Sequence, residues 1–239
     1  IRLLTPDSGR IFIGDDIIVE RDFLVSHLIE HIAQGRPETA VLGYTRWHPE
    51  EKVNTVMRHI DGLGGQQFSY YYLQDGIQLD WRHFYTSNVS ISRNFVEKHA
   101  ARFSREYPTA AFEDCEFAYR LAPLGLTIVY TKKALAYHIH RHTAWSFTRR
   151  CKTVGVNAQI LLRQHPELGE VLRMDEARAV SSPKAAGAFS AEHPTAAQLE
   201  ERRQRAVNMA GCFESIEVPG LDDYYLGLFR YFELYGFSC

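Results

Sequence analysis

Ile11-Phe12-Ile13-Gly14-Asp15-Asp16-Ile17-Ile18 is the stretch that decides the fold, because an apolar run here ends in two adjacent carboxylates. Ionised aspartate is almost never buried without a partner, so this pattern predicts a buried strand that emerges into a site. Successive side chains of a strand point to opposite faces, and both carboxylates could serve one ligand only if the chain turned between them. We expect Asp16 to be the ligand. Hard oxygen donors suit a magnesium or manganese ion, and a turn with capping aspartates is the alternative.

The composition narrows the class of protein. A chain of 239 residues with 45% hydrophobic residues is long enough for one large domain or one and a half ordinary ones. A net charge of -2 and scattered basic residues disfavour nucleic acid as a partner. The four cysteines lie far apart without a Cys-x-x-Cys pair, which argues against a zinc knuckle or a disulfide framework and favours a reducing, cytoplasmic compartment. No apolar run reaches the roughly 20 residues of a membrane span, so we expect a soluble chain.

Helices and strands alternate after the two aspartates. Asp22 can cap a helix that Gly35 ends, and the predicted sheet-facing positions of this helix are Phe23, Leu24, Leu28 and Ile32. Residues 40–44 read as a short strand, and Pro49 stands in the first turn of a second predicted helix. Residues 62–65 lack the strand and helix context of a dinucleotide-binding fingerprint, so they predict a loop.

An aromatic stretch, residues 68–81, leads into a predicted strand at 84–91. Trp81 could stack on a sugar or base, although core packing is the more common use of such rings. Asn88 lies in the middle of that strand. A carboxamide there costs stability unless it is hydrogen-bonded, which makes Asn88 either a structural tie or a ligand contact.

A second pair of carboxylates, Glu113 and Asp114, opens a predicted helix that Gly125 ends. Acidic residues in a first turn are commonly complements to the helix dipole. Two strands, 126–130 and 134–137, follow, and the second runs into His138-Ile139-His140-Arg141-His142. Alternation places the three histidines on one face, a spacing that permits metal ligation, with simple surface exposure as the alternative for each.

The chain becomes helical from Thr143. Residues 145–163 form a long amphipathic helix, 175–197 read as a linker, and Thr195 with Gln198 forms a capping-box signature. Asp222 starts a last helix with an aromatic stripe. Such a stripe usually packs within its own domain, and a homo-oligomer or peripheral membrane contact is the alternative.

The order of these signals resembles the family 2 glycosyltransferases of the A-type (GT-A) fold. The resemblance covers residues 11–142 and is carried by the stretches 12–16, 86–90, 112–121 and 134–138. It implies an α/β domain with a mixed sheet flanked by helices over residues 1–142, followed by a helical region at 143–239. It also implies a metal-dependent transfer of a sugar from a nucleotide-diphosphate sugar to a carbohydrate or other hydroxyl acceptor, with inversion.

The resemblance also implies residue roles. Asp16, with Asp15 beside it, would hold a manganese or magnesium ion on the donor diphosphate, and His138 would be a further ligand. Asp114 would deprotonate the acceptor hydroxyl and Glu113 would orient it. Ser87 and Asn88 would line a sugar, and Trp81 could stack on it.

Two departures from the family pattern matter. Gly14 stands where the usual acidic motif has a carboxylate. The half of the fold that contacts the base and ribose normally precedes this motif, so we expect the chain to be the later part of a longer enzyme and inactive alone. A catalytically dead binding or scaffold module is the first alternative. A sugar nucleotidyltransferase is the second, and it would need a glycine-rich phosphate loop near the start.

Overall fold

The computed structural model describes residues 9–174 and 195–239, so the predicted linker at 175–197 lies almost entirely outside the described residues. The strands are β1 (Gly9–Ile13), β2 (Ile17–Val19), β3 (Thr39–Trp47), β4 (Gln78–Leu79), β5 (Asn88–Ser92) and β6 (Thr127–His138). The α-helices are α1 (Phe23–Gln34), α2 (Thr55–Asp61), α3 (Arg93–Lys98), α4 (Glu113–Leu121), α5 (Ala144–Gln164), α6 (Gly169–Leu172), α7 (Ala196–Cys212) and α8 (Leu221–Ser238). Short 3-10 helices lie at Tyr70–Tyr72, Trp81–His83, Ala122–Leu124 and Pro166–Leu168.

The chain divides into two compact units. Unit 1 contains residues up to 52 together with 65–105 and 113–141, and unit 2 contains 53–64, 106–112 and 142–239. The predicted boundary near 142 therefore falls one residue from the last division. The segments 53–64 and 106–112, predicted as parts of the first domain, belong to unit 2 instead. Within the described residues, no helix is long and apolar enough to cross a membrane.

Unit 1 is built on a mixed sheet in the order β1-β5-β3-β6-β2, with β4 paired to β6. β3 and β6 are parallel, whereas the other pairs are antiparallel. Alternate residues of β3, β5 and β6 pack with Phe117 and Leu121 of α4 in one core cluster. The predicted α/β class with a mixed sheet is confirmed.

The two strands predicted at 126–130 and 134–137 form the single strand β6. Its pairing with β3 is interrupted, because Gly43 pairs with Thr131 whereas Tyr44 pairs with Leu135. Residues 132–134 therefore have no counterpart in β3. The interruption is a bulge in a continuous strand, and the charged side chains of Lys132 and Lys133 are exposed there.

Helix α1 presents a different side to the sheet from the predicted one. Phe23 and His27 are buried, whereas Leu24 and Ile32 are 64% and 66% exposed. The prediction is therefore confirmed for Phe23 and wrong for Leu24, Leu28 and Ile32. Hydrogen bonds to the sheet hold His27 inward (below), and the helix is rotated accordingly. Gly35 ends α1 in the left-handed conformation, as predicted.

The second predicted helix begins later than expected. The helix starts at Asn54 and not with a first turn at Pro49. The Asn54 side chain caps it by accepting a hydrogen bond from the Met57 amide at 2.8 Å. The Asn54 amide group also donates to the His142 carbonyl at 2.8 Å. One side chain thus caps α2 and ties it to the start of the helical region.

Unit 2 is built around the pair α5 and α8. Gly155 and Gly236 lie where the two helices cross, and a methyl group at either position would collide with the main chain of the other helix. The aromatic stripe of α8 lies inside this unit, with Tyr225 and Phe229 fully buried. Both hydrogen bonds of the predicted Thr195–Gln198 capping box are present at the start of α7.

Candidate active site

The two adjacent aspartates lie in the turn that joins β1 to β2. β2 pairs with the end of β6 so that Ile17 lies opposite His138, and the Ile139 amide donates to the Asp16 carbonyl at 3.1 Å. This register brings the Asp16 side chain to His138, with 3.0 Å between Oδ2 and Nε2. Asp15 is exposed. Asp16 therefore contacts the end of β6, whereas Asp15 faces solvent.

Two further rings complete the surroundings of Asp16. His140 Nδ1 lies 3.5 Å from the same Asp16 oxygen, and its ring stacks on His138 with centroids 5.8 Å apart. Trp47 stacks on His138 at 5.2 Å and 14°. The sequence analysis did not single out Trp47. Trp47 is recognised only from the parallel pairing of β3 with β6, which places it opposite His138.

Gly14 makes room for the Asp16 carboxylate. A Cβ atom at position 14 would lie 2.8 Å from Asp16 Oδ1 and 3.2 Å from the Ile17 side chain. A carboxylate at position 14 would therefore displace the one that contacts His138. The glycine that departs from the family pattern is thus compatible with a site that uses Asp16.

The donors around Asp16 fit a divalent cation in part. One carboxylate oxygen and imidazole nitrogens converge, and both donor types bind manganese. Among the described residues, no group of three or more His, Cys, Asp or Glu side chains could hold a metal ion. The chain thus offers a partial ligand set, which suits a cation that keeps waters and substrate phosphates as ligands.

The second predicted carboxylate, Asp114, lies at the start of α4. Its Oδ1 accepts a hydrogen bond from the Cys115 amide at 2.8 Å, and its Oδ2 accepts one from the Thr86 amide at 3.4 Å. Burial raises the pKa of Asp114 above its usual value, although these amides act in the opposite direction. Burial, with the charge of Asp114 beside it, also raises the pKa of the Cys115 thiol. The site therefore favours proton uptake by Asp114.

The backbone that enters α4 is strained. Phe112 has φ +67°, in the left-handed region that a bulky residue rarely adopts. Glu113 follows directly and is partly buried. Strain of this kind costs of order 1–3 kcal/mol and clusters at sites where geometry matters more than stability. The position of Glu113 and Asp114 is thus set by a conformation that α4 alone does not require.

Ser87 and Trp81 lie in the segment before β5. Ser87 Oγ is buried without a hydrogen-bond partner among the described residues, which is unusual for a hydroxyl and fits a contact to a ligand. Trp81 begins a 3-10 helix capped by Asp80, and its ring packs edge-on against Tyr119 of α4 at 5.0 Å. Part of the Trp81 ring is therefore used in packing.

Asn88 is fully buried, and all its hydrogen bonds go to the protein. Its Nδ2 donates to the Ala134 carbonyl at 2.9 Å and to the Tyr44 carbonyl at 3.2 Å, and His27 Nε2 lies 3.0 Å from its Oδ1. This is the geometry of a structural tie, the first of the two alternatives. It joins β5 to β3, β6 and α1.

The Asn88 tie continues into a chain of side chains that the sequence analysis missed. Ser90 Oγ lies 2.8 Å from His27 Nδ1 and 2.8 Å from His31 Nε2. Because the Asn88 oxygen can only accept, His27 donates through Nε2 and accepts from Ser90 through Nδ1. Burial lowers the pKa of His27 to about 4. The available signal was the helical spacing of His27 and His31, neither of which was among the predicted sheet-facing positions.

Aromatic rings connect the Asp16 and Asp114 groups. Phe68 lies 6.1 Å from the His138 ring and 5.3 Å from the Tyr85 ring. Thr86, which follows Tyr85 in the chain, donates its amide to Asp114 Oδ2 at 3.4 Å. The two carboxylates are therefore parts of one contiguous region of unit 1.

The chain matches no protein-family model, and no curated protein matches it as a relative.

Proposed function

We propose that this protein is a metal-dependent inverting glycosyltransferase of the family 2, GT-A type. It transfers a sugar from a nucleotide-diphosphate sugar to a hydroxyl acceptor. The observation that carries the proposal is the contact between Asp16 and His138, which are 122 residues apart and meet through the β2–β6 pairing. A pair of aspartates that merely capped a turn would not need an imidazole beside one carboxylate.

Asp114 acts as the general base in this proposal. It accepts the proton of the acceptor hydroxyl while that oxygen attacks the anomeric carbon from the face opposite the diphosphate. The bond between the anomeric carbon and the diphosphate oxygen breaks, and the nucleoside diphosphate leaves with the electron pair. A raised pKa suits Asp114 to this role, since a base is most effective when its pKa approaches the working pH.

The other predicted residues have supporting roles. Asp16 and His138 would hold a manganese or magnesium ion, which supplies positive charge to the leaving diphosphate when bound. Asp15, exposed in the same turn, is available to the donor. Glu113 orients the base, while Ser87 and the free part of the Trp81 ring contact sugar. Asn88 supports the wall of the site through its ties to the sheet.

The test uses the longest natural form of the chain with Mn²⁺ and a panel of nucleotide sugars. We expect metal-dependent release of nucleoside diphosphate, and Asp114→Asn should reduce transfer by about 100-fold or more. Asp223→Asn, which alters an exposed carboxylate in the first turn of α8, is the matched control and should keep full activity. The anomeric configuration of the product, read by NMR, should be inverted.

Each outcome separates the proposal from its alternatives. Release that survives Asp114→Asn would leave the reaction standing but remove Asp114 as the base. An absence of turnover, together with an absence of metal-dependent nucleotide binding, would favour a binding or scaffold module. Mn²⁺ binding measured by electron paramagnetic resonance should weaken in Asp16→Asn and His138→Gln, and unchanged binding would refute the assigned ligands.

A further inference from the structure

Unit 2 contains a cavity of about 270 Å³ that lies between α5, α7 and α8. Three cationic side chains line it: Arg149 and Lys152 from α5, and Arg203 from α7. Glu200 is its one carboxylate among the described residues, and it pairs with Arg203 at 3.2 Å. The cavity therefore carries more positive than negative charge, although the whole chain has a net charge of -2.

Each cation lies over an aromatic ring. The Arg149 guanidinium is 4.7 Å from the centroid of Trp145, and the Lys152 ammonium is 4.9 Å from that of Tyr235. The Arg203 guanidinium is 3.8 Å from the same Tyr235 ring. Stacking holds a cation in place without neutralising it, because the ring carries no net charge. The three cations are thus oriented by rings that do not neutralise them.

Arg203 is the most buried of the three. Its side chain is 13% exposed, and its Nε donates to the Tyr231 hydroxyl at 3.0 Å. A guanidinium held in this way loses little entropy on binding, and its planar donors match the oxygens of a phosphate. Arg149 and Lys152 are exposed at the same cavity, where no carboxylate of the described residues pairs with them. Like charges held close together repel one another unless an anion lies between them.

We propose that this cavity binds a phosphate monoester whose carbon portion lies against the exposed ring of Trp145. The volume is below the range of about 300–1,000 Å³ that is typical for drug-sized ligands, so it suits a phosphate with a few carbon atoms. Trp145 is 53% exposed and offers the apolar surface. The phosphate belongs either to a small soluble ester or to a lipid headgroup, and this site does not depend on the transferase proposal.

The experiment titrates the whole chain with glycerol 3-phosphate by calorimetry and, separately, with vesicles of phosphatidylcholine containing phosphatidic acid. We expect Lys152→Gln and Arg149→Gln each to weaken binding by about tenfold, the effect of losing one charge-assisted hydrogen bond. Arg205→Gln is the matched control, because Arg205 lies on the same helix as Arg203 but is 74% exposed and pairs with Glu201. It should bind as the wild type does.

Both substituted residues are exposed, so the variants should fold, and circular dichroism checks this. Binding of glycerol 3-phosphate that responds to the two variants would support a soluble ester as the ligand. Binding of phosphatidic acid vesicles alone, with the same response, would support a lipid headgroup. An absence of binding to both probes, or binding that Arg205→Gln weakens as much as Lys152→Gln, would overturn the proposal.

Discussion

The buried imidazole of His27 should make the stability of unit 1 depend on pH. Its pKa is lowered to about 4 from 6.5, chiefly because burial disfavours the charged ring, while the Asn88 hydrogen bond raises it and His31 lowers it further. Above about pH 6.5 the ring is neutral in both the folded and the unfolded chain, so its contribution is fully present. As the pH falls toward 4, the unfolded chain takes up the proton first. Stability is therefore lost over this window.

The size of the effect follows from the two pKa values. At about 1.4 kcal/mol per pH unit, the full loss is about 3 kcal/mol, of which about 2 kcal/mol falls between pH 7 and pH 5. Other groups titrate in the same range, so the measurement compares wild type with His27→Gln. Glutamine keeps one donor and one acceptor but does not titrate. The unfolding free energy of His27→Gln should be lower than that of the wild type at pH 7. This difference should be about 2 kcal/mol smaller at pH 5.

Urea unfolding at both pH values measures this difference, and His99→Gln, at a half-buried position after α3, is the control. If the chain unfolds in two steps, the effect should appear in the step that melts α1. NMR titration of the His27 ring in the wild type gives an independent reading. A midpoint between pH 6 and 7, or an equal pH dependence in wild type and His27→Gln, would refute the buried neutral imidazole.

Four further substitutions test the packing of the chain. Asn88→Ala removes hydrogen bonds that join β5 to β3, β6 and α1, and leaves buried carbonyls unsatisfied, so it should lower the unfolding free energy by about 2–4 kcal/mol in urea titrations. Gly155→Ala brings a methyl group against the main chain of α8 and should lower the thermal midpoint of unit 2. Gly227→Ala, in α8, has open space around it and should raise the unfolding free energy of unit 2 by about 0.5–1 kcal/mol. An equal effect of the two glycine substitutions would contradict the close crossing of α5 and α8. Arg120→Met removes a partner of the buried Glu116 carboxylate, held at 2.6 Å, and should lower the unfolding free energy by about 2–3 kcal/mol, as urea unfolding would show.

Periodicity and turn residues predicted much of the architecture. The α/β class, the end of α1 at Gly35 and the capping box of α7 were correct because each depends on residues close in sequence. The rotation of α1 could not be predicted this way. It depends on the bonds of His27 to Asn88 and Ser90, more than 60 residues away, which make a polar residue face the sheet.

In the candidate site, too, the sequence predicted individual residues but not the contacts between distant ones. The sequence singled out Asp16 and His138 separately, but it contained no distance between them, and the role of Trp47 emerged only from strand pairing. Asn88 was recognised as a residue that needs partners, whereas the identity of those partners required the structure. The wrong start of the second helix has a local cause, since Asn54 competes with Pro49 as a start signal and provides the capping bond.

The bulge in β6 makes the number of residues between Thr131 and Leu135 more important than their identity. Three residues there have no counterpart in β3, and this number brings His138 opposite Trp47. Deleting or inserting one residue would bring a neighbour of His138 to that position and turn the imidazole to the other face of the sheet. A chain that is one residue longer or shorter at this point should therefore keep the fold but lose the Asp16–His138 contact.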